Sequence, residues 1–123
     1  MPLTSPEVRM TFDEVRRMAL ALPGVEEGTS YGTPAFQVRR KTFVRLREDG
    51  DTLVLRCNFY ERAYLVEARP EVFHVTDHYR DYEYVLARLS AATPDDLRER
   101  LEDSYRAVAP KKLLAELDAR PAD

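Results

Sequence analysis

The order of its hydrophobic periodicities predicts that this chain folds as α+β, an antiparallel β-sheet with helices packed on one face. Three observations carry that reading. Apolar residues recur at helical spacing from Phe12 to Leu22, the period drops to two from Phe36 to Arg56, and helical spacing returns from Leu97 to Val108. Strands gathered in a run, rather than alternating one by one with helices, favour antiparallel pairing. A sheet of that kind covered on one side leaves its other side at least partly open. The 123 residues fit a single domain, 1–123, opened by a loose lead-in over residues 1–10 that holds two prolines.

Each element has its own local signal. Thr11 and Glu14 make a capping box, each side chain serving a backbone N–H that the first helical turn leaves free. Phe12, Val15, Met18, Ala19 and Leu22 form one stripe, and Pro23-Gly24 ends it. Val25 to Pro34 reads as a glycine-containing loop with room for a short first strand. Phe36 and Val38 then alternate with Gln37 and Arg39. Val44 and Leu46 alternate with Phe43, Arg45 and Arg47, and Leu53 and Leu55 with Val54 and Arg56. These are three antiparallel strands joined by the turns RRKT and EDGD. Asp49-Gly50 is a hairpin signal because glycine accepts a positive φ.

Asn58 and Glu61 cap a helix from about Phe59 to Ala68, which stops ahead of Pro70. Two strands follow, around residues 72–76 and 82–89. Thr93 caps the last long helix, Pro94 takes its first position, and Asp95 and Asp96 sit at the positive end of its dipole. Leu97, Leu101, Tyr105 and Val108 are its buried stripe. Pro110 breaks it, and residues 112–119 form a short final helix. The expected core comprises Phe12, Val15, Leu22, Phe36, Val38, Leu46, Leu55, Leu65, Leu86, Leu101 and Tyr105.

Composition excludes several classes. A hydrophobic content of 44% suffices for one core at this length, and no apolar run approaches the ~20 residues of a membrane span. The start, MPLTSPEVRM, carries no signal-type apolar stretch, and one cysteine, Cys57, rules out an internal disulfide framework. A cytoplasmic monomer or weak dimer is expected. The formal net charge of −3 argues against indiscriminate nucleic-acid binding, yet charge is unevenly spread. Residues 37–56 hold six basic and three acidic side chains, net +3, against −6 for the rest.

Three stretches resemble the MmcQ/YjbR family of small bacterial proteins: LPGVEEGTSYGTPAFQVRRKTFVRL, ERAYLVEARPEVFHVTDHYRDYEYVLARL and LRERLEDSYRAVAPKKLL, the last with Ser104-Tyr105 near the end of its helix. Together they cover almost the whole chain. The resemblance implies a CyaY-like α/β sandwich. It also implies DNA binding through two projecting hairpins, a double wing, and the frataxin-like fold raises the question of iron. One departure is Arg40, where the family's hairpin often has glycine before lysine. Arginine is poorer at a positive φ, which implies a longer turn or one of another type.

Two local clusters are candidates for function. Arg39, Arg40 and Lys41 fall at a hairpin tip, and Arg45 and Arg47, with Arg56, on the open sheet face. Such charges can neutralise a phosphate backbone. They can equally solvate the face and pair across strands with Glu48, Asp51 or Glu83. The acids of EDGD work against a basic patch. The second cluster, HVTDHYRDYEY, reads as another wing with His78, Tyr79 and Arg80 at its tip, or as a metal site of His74, Asp77 and His78. Strand-and-turn geometry does not bring those ligands together, so no metal and no other cofactor is expected.

No helix-turn-helix, zinc-finger or aromatic RNA-binding signature is present. Glu26-Glu27 is a loop pair of acids, and Ser30, Ser90 and Ser104 lack a nucleophile-elbow context. Ser104 is expected to bond its own helix backbone, and Cys57 to be a small buried residue. Catalysis is therefore not expected. The reading is a weak, sequence-tolerant DNA-binding protein that uses Arg39, Arg40, Lys41, Arg45, Arg47, His78 and Arg80. The alternative is a small-molecule or protein-binding module that uses the concave face framed by Tyr31, Phe43, Tyr82 and Tyr84.

Overall fold

The computed structural model describes residues 10–121, and its frame is an antiparallel sheet of six strands. They are β1 Val25–Ser30, β2 Thr33–Val38, β3 Lys41–Leu46, β4 Thr52–Arg56, β5 Phe73–His74 and β6 Tyr84–Arg88, in the spatial order β1-β2-β3-β4-β6-β5. Helices α1 (Phe12–Leu20), α2 (Phe59–Ala68), α3 (Pro94–Arg106) and α4 (Lys111–Asp118) complete the α+β fold. Every helix sits within a residue or two of where its caps and stripe put it. Thr11 Oγ1 accepts the Glu14 N–H, Asn58 Oδ1 accepts the Glu61 N–H, and Thr93 and Asp96 form a complete capping box.

The sheet separates two packed surfaces. On one, Phe36, Val44, Leu55 and Val85 lie in one cross-strand row and Leu53, Ala87 and Phe73 in the next. These join Val15, Leu65, Leu97, Leu101 and Tyr105 from the helices in the main core. Phe12, Leu22 and Leu46, expected inside, are only partly buried at its margin. Leu86, also expected there, is fully buried but on the opposite surface of the sheet.

Four expectations are corrected. The segment Val25–Pro34 is not mainly loop: β1 is a full six-residue edge strand paired along its length with β2. Its acids hid it, because an edge strand tolerates charge that a central strand does not. The β2–β3 connection is not lengthened by Arg40. Val38 pairs with Lys41, so the turn has two central residues, Arg39 at φ 51° and Arg40 at φ 71°. Two positive φ values match the twist of a tight hairpin. Holding non-glycine residues there costs roughly 1–2 kcal/mol each.

Phe43 does not face the open side. Phe36 pairs with Val44 but Gln37 with Thr42, which leaves Phe43 as the extra residue of a β-bulge. The bulge rotates Phe43 into the core, edge-on to Tyr105 with ring centroids 5.7 Å apart. The fourth correction concerns the lead-in. Residues 1–9 lie outside the described residues, but Met10 is buried and its N–H donates to the Ala92 carbonyl at 3.0 Å. Among the described residues no helix is long and apolar enough to cross a membrane.

A tyrosine-lined cleft as candidate functional site

The surface of the sheet away from the main core is not bare. Its central row runs Ala35, Arg45, Val54, Leu86, His74, each residue paired directly with the next across β2, β3, β4, β6 and β5. Ala35, Val54 and Leu86 are buried, so something covers them. Part of the cover is the chain between β5 and β6. The strands expected at 72–76 and 82–89 are shorter, and the nine residues between their observed ends contain a 3-10 turn, Asp77–Tyr79. The segment folds back instead of projecting as a second wing. Tyr79 packs edge-on against Tyr84 with ring centroids 5.6 Å apart, and its hydroxyl accepts from Arg45 Nη2 at 3.3 Å.

Arg62 of α2 straps this segment down. Its Nη1 donates to the carbonyls of Tyr79, Tyr82 and Tyr84 at 3.2, 2.8 and 3.1 Å, and its Nη2 to that of Arg80 at 2.9 Å. Four main-chain acceptors that no strand pairing would satisfy are met by one guanidinium. The guanidinium also lies over the Phe59 ring, 4.8 Å from its centroid.

Between the strap and the strands lies a cleft of about 650 Å³, bordered by Tyr31, Arg45, Arg56, Tyr79, Tyr82 and Tyr84, with Val54 at its floor. That volume is within the range of small-ligand pockets. Tyr31 and Tyr82 stand at its mouth, 85% and 60% exposed. Two arginines serve it differently. Arg45, its side chain only 13% exposed, is committed to the protein: Nη1 donates to Thr33 Oγ1 at 3.2 Å, Nη2 to Tyr79, and the guanidinium sits over the Tyr31 ring at 5.2 Å. Arg56 sits over the Tyr84 ring at 5.7 Å and donates from Nε to the Thr42 carbonyl at 3.3 Å. Among the described residues no carboxylate comes within ion-pair distance of Arg56.

The bulge explains how Arg56 is held. Pairing of β3 with β4 ends at Val44–Leu55, because the bulge takes Phe43 out of register. Ser104 of α3 fills the gap: its hydroxyl accepts the Arg56 N–H at 2.9 Å and donates to the Phe43 carbonyl. Ser104 was expected to bond its own helix; it bonds the sheet, because the missing ladder bond leaves two buried polar groups facing it. Beside it, Tyr105 donates its hydroxyl to the Pro23 carbonyl at 2.6 Å, tying α3 to the turn after α1.

The seven basic and imidazole residues singled out in the sequence fall into three places. Arg39, Arg40 and Lys41 are exposed at the β2–β3 tip. Arg45 and Arg47 lie half-buried on the open face, Arg45 engaged as described. His78 and Arg80 lie on the strap: His78 stands edge-on to Tyr79, and Arg80 pairs with Asp77. The EDGD acids are at the other end of β3 from the tip. Asp49 accepts the Asp51 and Thr52 N–H groups, and Asp51 accepts from Ser90. Sequence reasoning missed Arg56 as an isolated cation and Arg62 altogether. Neither belongs to a motif, and only the fold reveals what each faces.

Most other chemistry-bearing groups are accounted for locally; among the described residues the buried His74 Nδ1 and Thr76 Oγ1 have no hydrogen-bond partner. Among the described residues no three His, Cys, Asp or Glu side chains gather as a metal site would require. Burial, with Arg88 nearby, holds the His74 imidazole below its ordinary pKa. A second hollow beside Cys57 surrounds Arg100, whose charge is met by Asp103, Glu61 and Glu99 at 3.2, 3.4 and 3.5 Å. Burial pushes the Cys57 thiol above its usual range, away from the reactive thiolate.

Comparison with known proteins adds a family and a fold. The family model described as YjbR matches residues 20–107. No curated protein matches the chain. Among solved structures, the chain is similar to the Deinococcus radiodurans protein DR2400, described as a DUF419 family-model domain. The TM-score is 0.73 at 22% identity, over 96% of this chain and 94% of that one. At that identity the likeness is one of fold.

Proposed function

The chain belongs to the YjbR family, and from that premise we propose that it is a non-catalytic binding domain whose site is the tyrosine-lined cleft on the open face of its sheet. The observation that carries this reading is the pair Tyr31 and Tyr82, two large rings 85% and 60% exposed at the mouth of a cleft whose floor is otherwise covered. A single exposed aromatic is ordinary, whereas convergent ones beside fixed polar groups mark binding sites. The domain would act in the cytoplasm as a monomer or weak dimer. Titration of the protein with a metabolite panel, read by tyrosine fluorescence and thermal shift, tests it. A ligand whose binding is lost in Tyr82→Ala supports the cleft. Ligands that bind this variant and the wild type equally would place the site elsewhere.

A second reading, weak sequence-tolerant binding of duplex DNA, is favoured by one observation. Arg39, Arg40 and Lys41 are exposed at a hairpin tip, and none has a carboxylate partner among the described residues. The other segment expected as a wing is held against the sheet by Arg62, so the contact would be a single point of phosphate neutralisation. Loss of duplex binding on charge removal at the tip, with the cleft intact, would support this reading.

A further inference from the structure

We infer that the cleft recognises a nucleotide unit, a planar base stacked on Tyr31 or Tyr82 with its phosphate on the guanidinium of Arg56; this rests on the cleft being the binding site. Three features converge on that chemistry. The first is planarity. Tyr31, with one face under the Arg45 guanidinium, and Tyr82 are largely exposed at the mouth, and bases stack on tyrosine with little regard to sequence. The second is charge. A guanidinium is a planar fork that matches phosphate oxygens two at a time. That of Arg56 is oriented by the Tyr84 ring and by the Nε bond to the Thr42 carbonyl, and no acid among the described residues neutralises it.

The third is polarity along the cleft. Arg56 pairs with Tyr84 at the end of the sheet where Val38 pairs with Lys41, so the tip cations Arg39, Arg40 and Lys41 belong to the same end. Glu48, the acid bordering the cleft, lies at the opposite end, 3.9 Å from Arg45, while Glu61, Glu83 and Asp103 line the neighbouring hollow that Arg56 also borders, none of them within ion-pair distance of it. Within the cleft an anion is therefore better placed on the Arg56 guanidinium than beside Glu48, and an uncharged base fits toward Tyr31. The Arg45 side chain is 13% exposed, engaged by Thr33 and Tyr79 and has Glu48 3.9 Å away, which leaves Arg56 as the anion contact.

The same unit can come as a free mononucleotide or as part of a single strand, and calorimetry with five probes separates the sources: AMP, adenosine, inorganic phosphate, a thymidine decamer and its duplex. The expected result is AMP bound at least tenfold more tightly than adenosine or phosphate. Arg56→Gln should bring AMP down to the affinity of adenosine and leave adenosine unchanged. Of Tyr31→Ala and Tyr82→Ala, both at exposed positions that leave the fold intact, the one that removes the stacking ring should weaken both AMP and adenosine. A decamer that binds more tightly than AMP identifies a single strand as the source; equal or weaker decamer binding identifies the free nucleotide. If neither AMP nor the decamer binds, or if both bind as well to the two tyrosine variants, the inference is overturned. A different ligand that still requires Tyr82 would then leave the cleft standing as a binding site with this chemistry removed.

Discussion

The hydroxyl of Ser104 accepts the backbone N–H of Arg56 at 2.9 Å, while donating to the carbonyl of Phe43. A helix side chain thereby completes the sheet at the step where the bulge removes a ladder bond, and it fixes the main chain of Arg56, the cleft arginine that has no acid partner among the described residues. Ser104→Ala leaves two buried polar groups without this partner. The expected loss is about 1–3 kcal/mol in urea denaturation, with Arg56-dependent ligand binding weakened in parallel. Ser104→Thr, which keeps the hydroxyl, should recover part of both.

Arg62 holds the strap by its main chain alone. Arg62→Met keeps the stem that packs by Phe59 and removes the four hydrogen bonds. The amides of residues 79–84 should then exchange with deuterium much faster, while those of β3 and β4 keep their protection. Global stability should fall by about 1–3 kcal/mol, the cost of leaving charge-assisted bonds unmade. Unchanged exchange across residues 79–84 would mean that Tyr79 and Tyr84 hold the strap by packing.

Acid should weaken the link between α2 and α3. Burial acts to raise the pKa of Asp96, but the Arg69 guanidinium, with bonds of 3.1 and 2.7 Å, and the Thr93 N–H outweigh it, and its carboxyl titrates below the ordinary value. A folded pKa depressed below the unfolded one, ~3.9 for aspartate, contributes stability that is present above the unfolded value and lost as pH falls through the folded one. Melting temperature should therefore drop steeply below about pH 4. Asp96→Asn should make that acid limb shallower, at a cost of about 1 kcal/mol at neutral pH from the weakened cap.

The β2–β3 turn separates stability from charge. Replacing Arg39-Arg40 by Asn-Gly puts residues that favour positive φ where the backbone already has it. The expected gain is about 1 kcal/mol in chemical denaturation, given the αL cost of arginine. The same double change removes two of three tip charges. If the tip contacts about three phosphates, duplex affinity should fall with log salt at a slope of about −2.7 for the wild type and about −0.9 for the variant. A variant that is more stable and binds duplex DNA with an unaltered slope would remove the tip from any DNA contact.

The parts of the fold that depend on local chemistry were readable from residues alone. Thr11, Asn58 and Thr93 each start a helix by serving its free N–H groups, and the alternation through β2, β3 and β4 sets their register. What could not be read depends on partners distant in sequence. Nothing around Phe43 signals a bulge; the register break appears only when β2 is laid against β3, and it moves Phe43 from the supposed binding face into the core. The acids of β1 resembled a loop because an edge strand has one neighbour. The cleft was foreseen in part, through Tyr31, Tyr82 and Tyr84. Its cover was not, since the position of residues 75–83 is set by Arg62 on another element.

The grip of Arg62 on carbonyl oxygens has a consequence for how such a domain can diversify. A clasp that reads only the main chain is indifferent to which side chains the clasped segment carries. His78, Asp81 and Tyr82 can be exchanged for other residues without loosening the strap, so long as the backbone path is kept. The roof of the cleft is thus an interchangeable part under a clasp that recognises only its backbone.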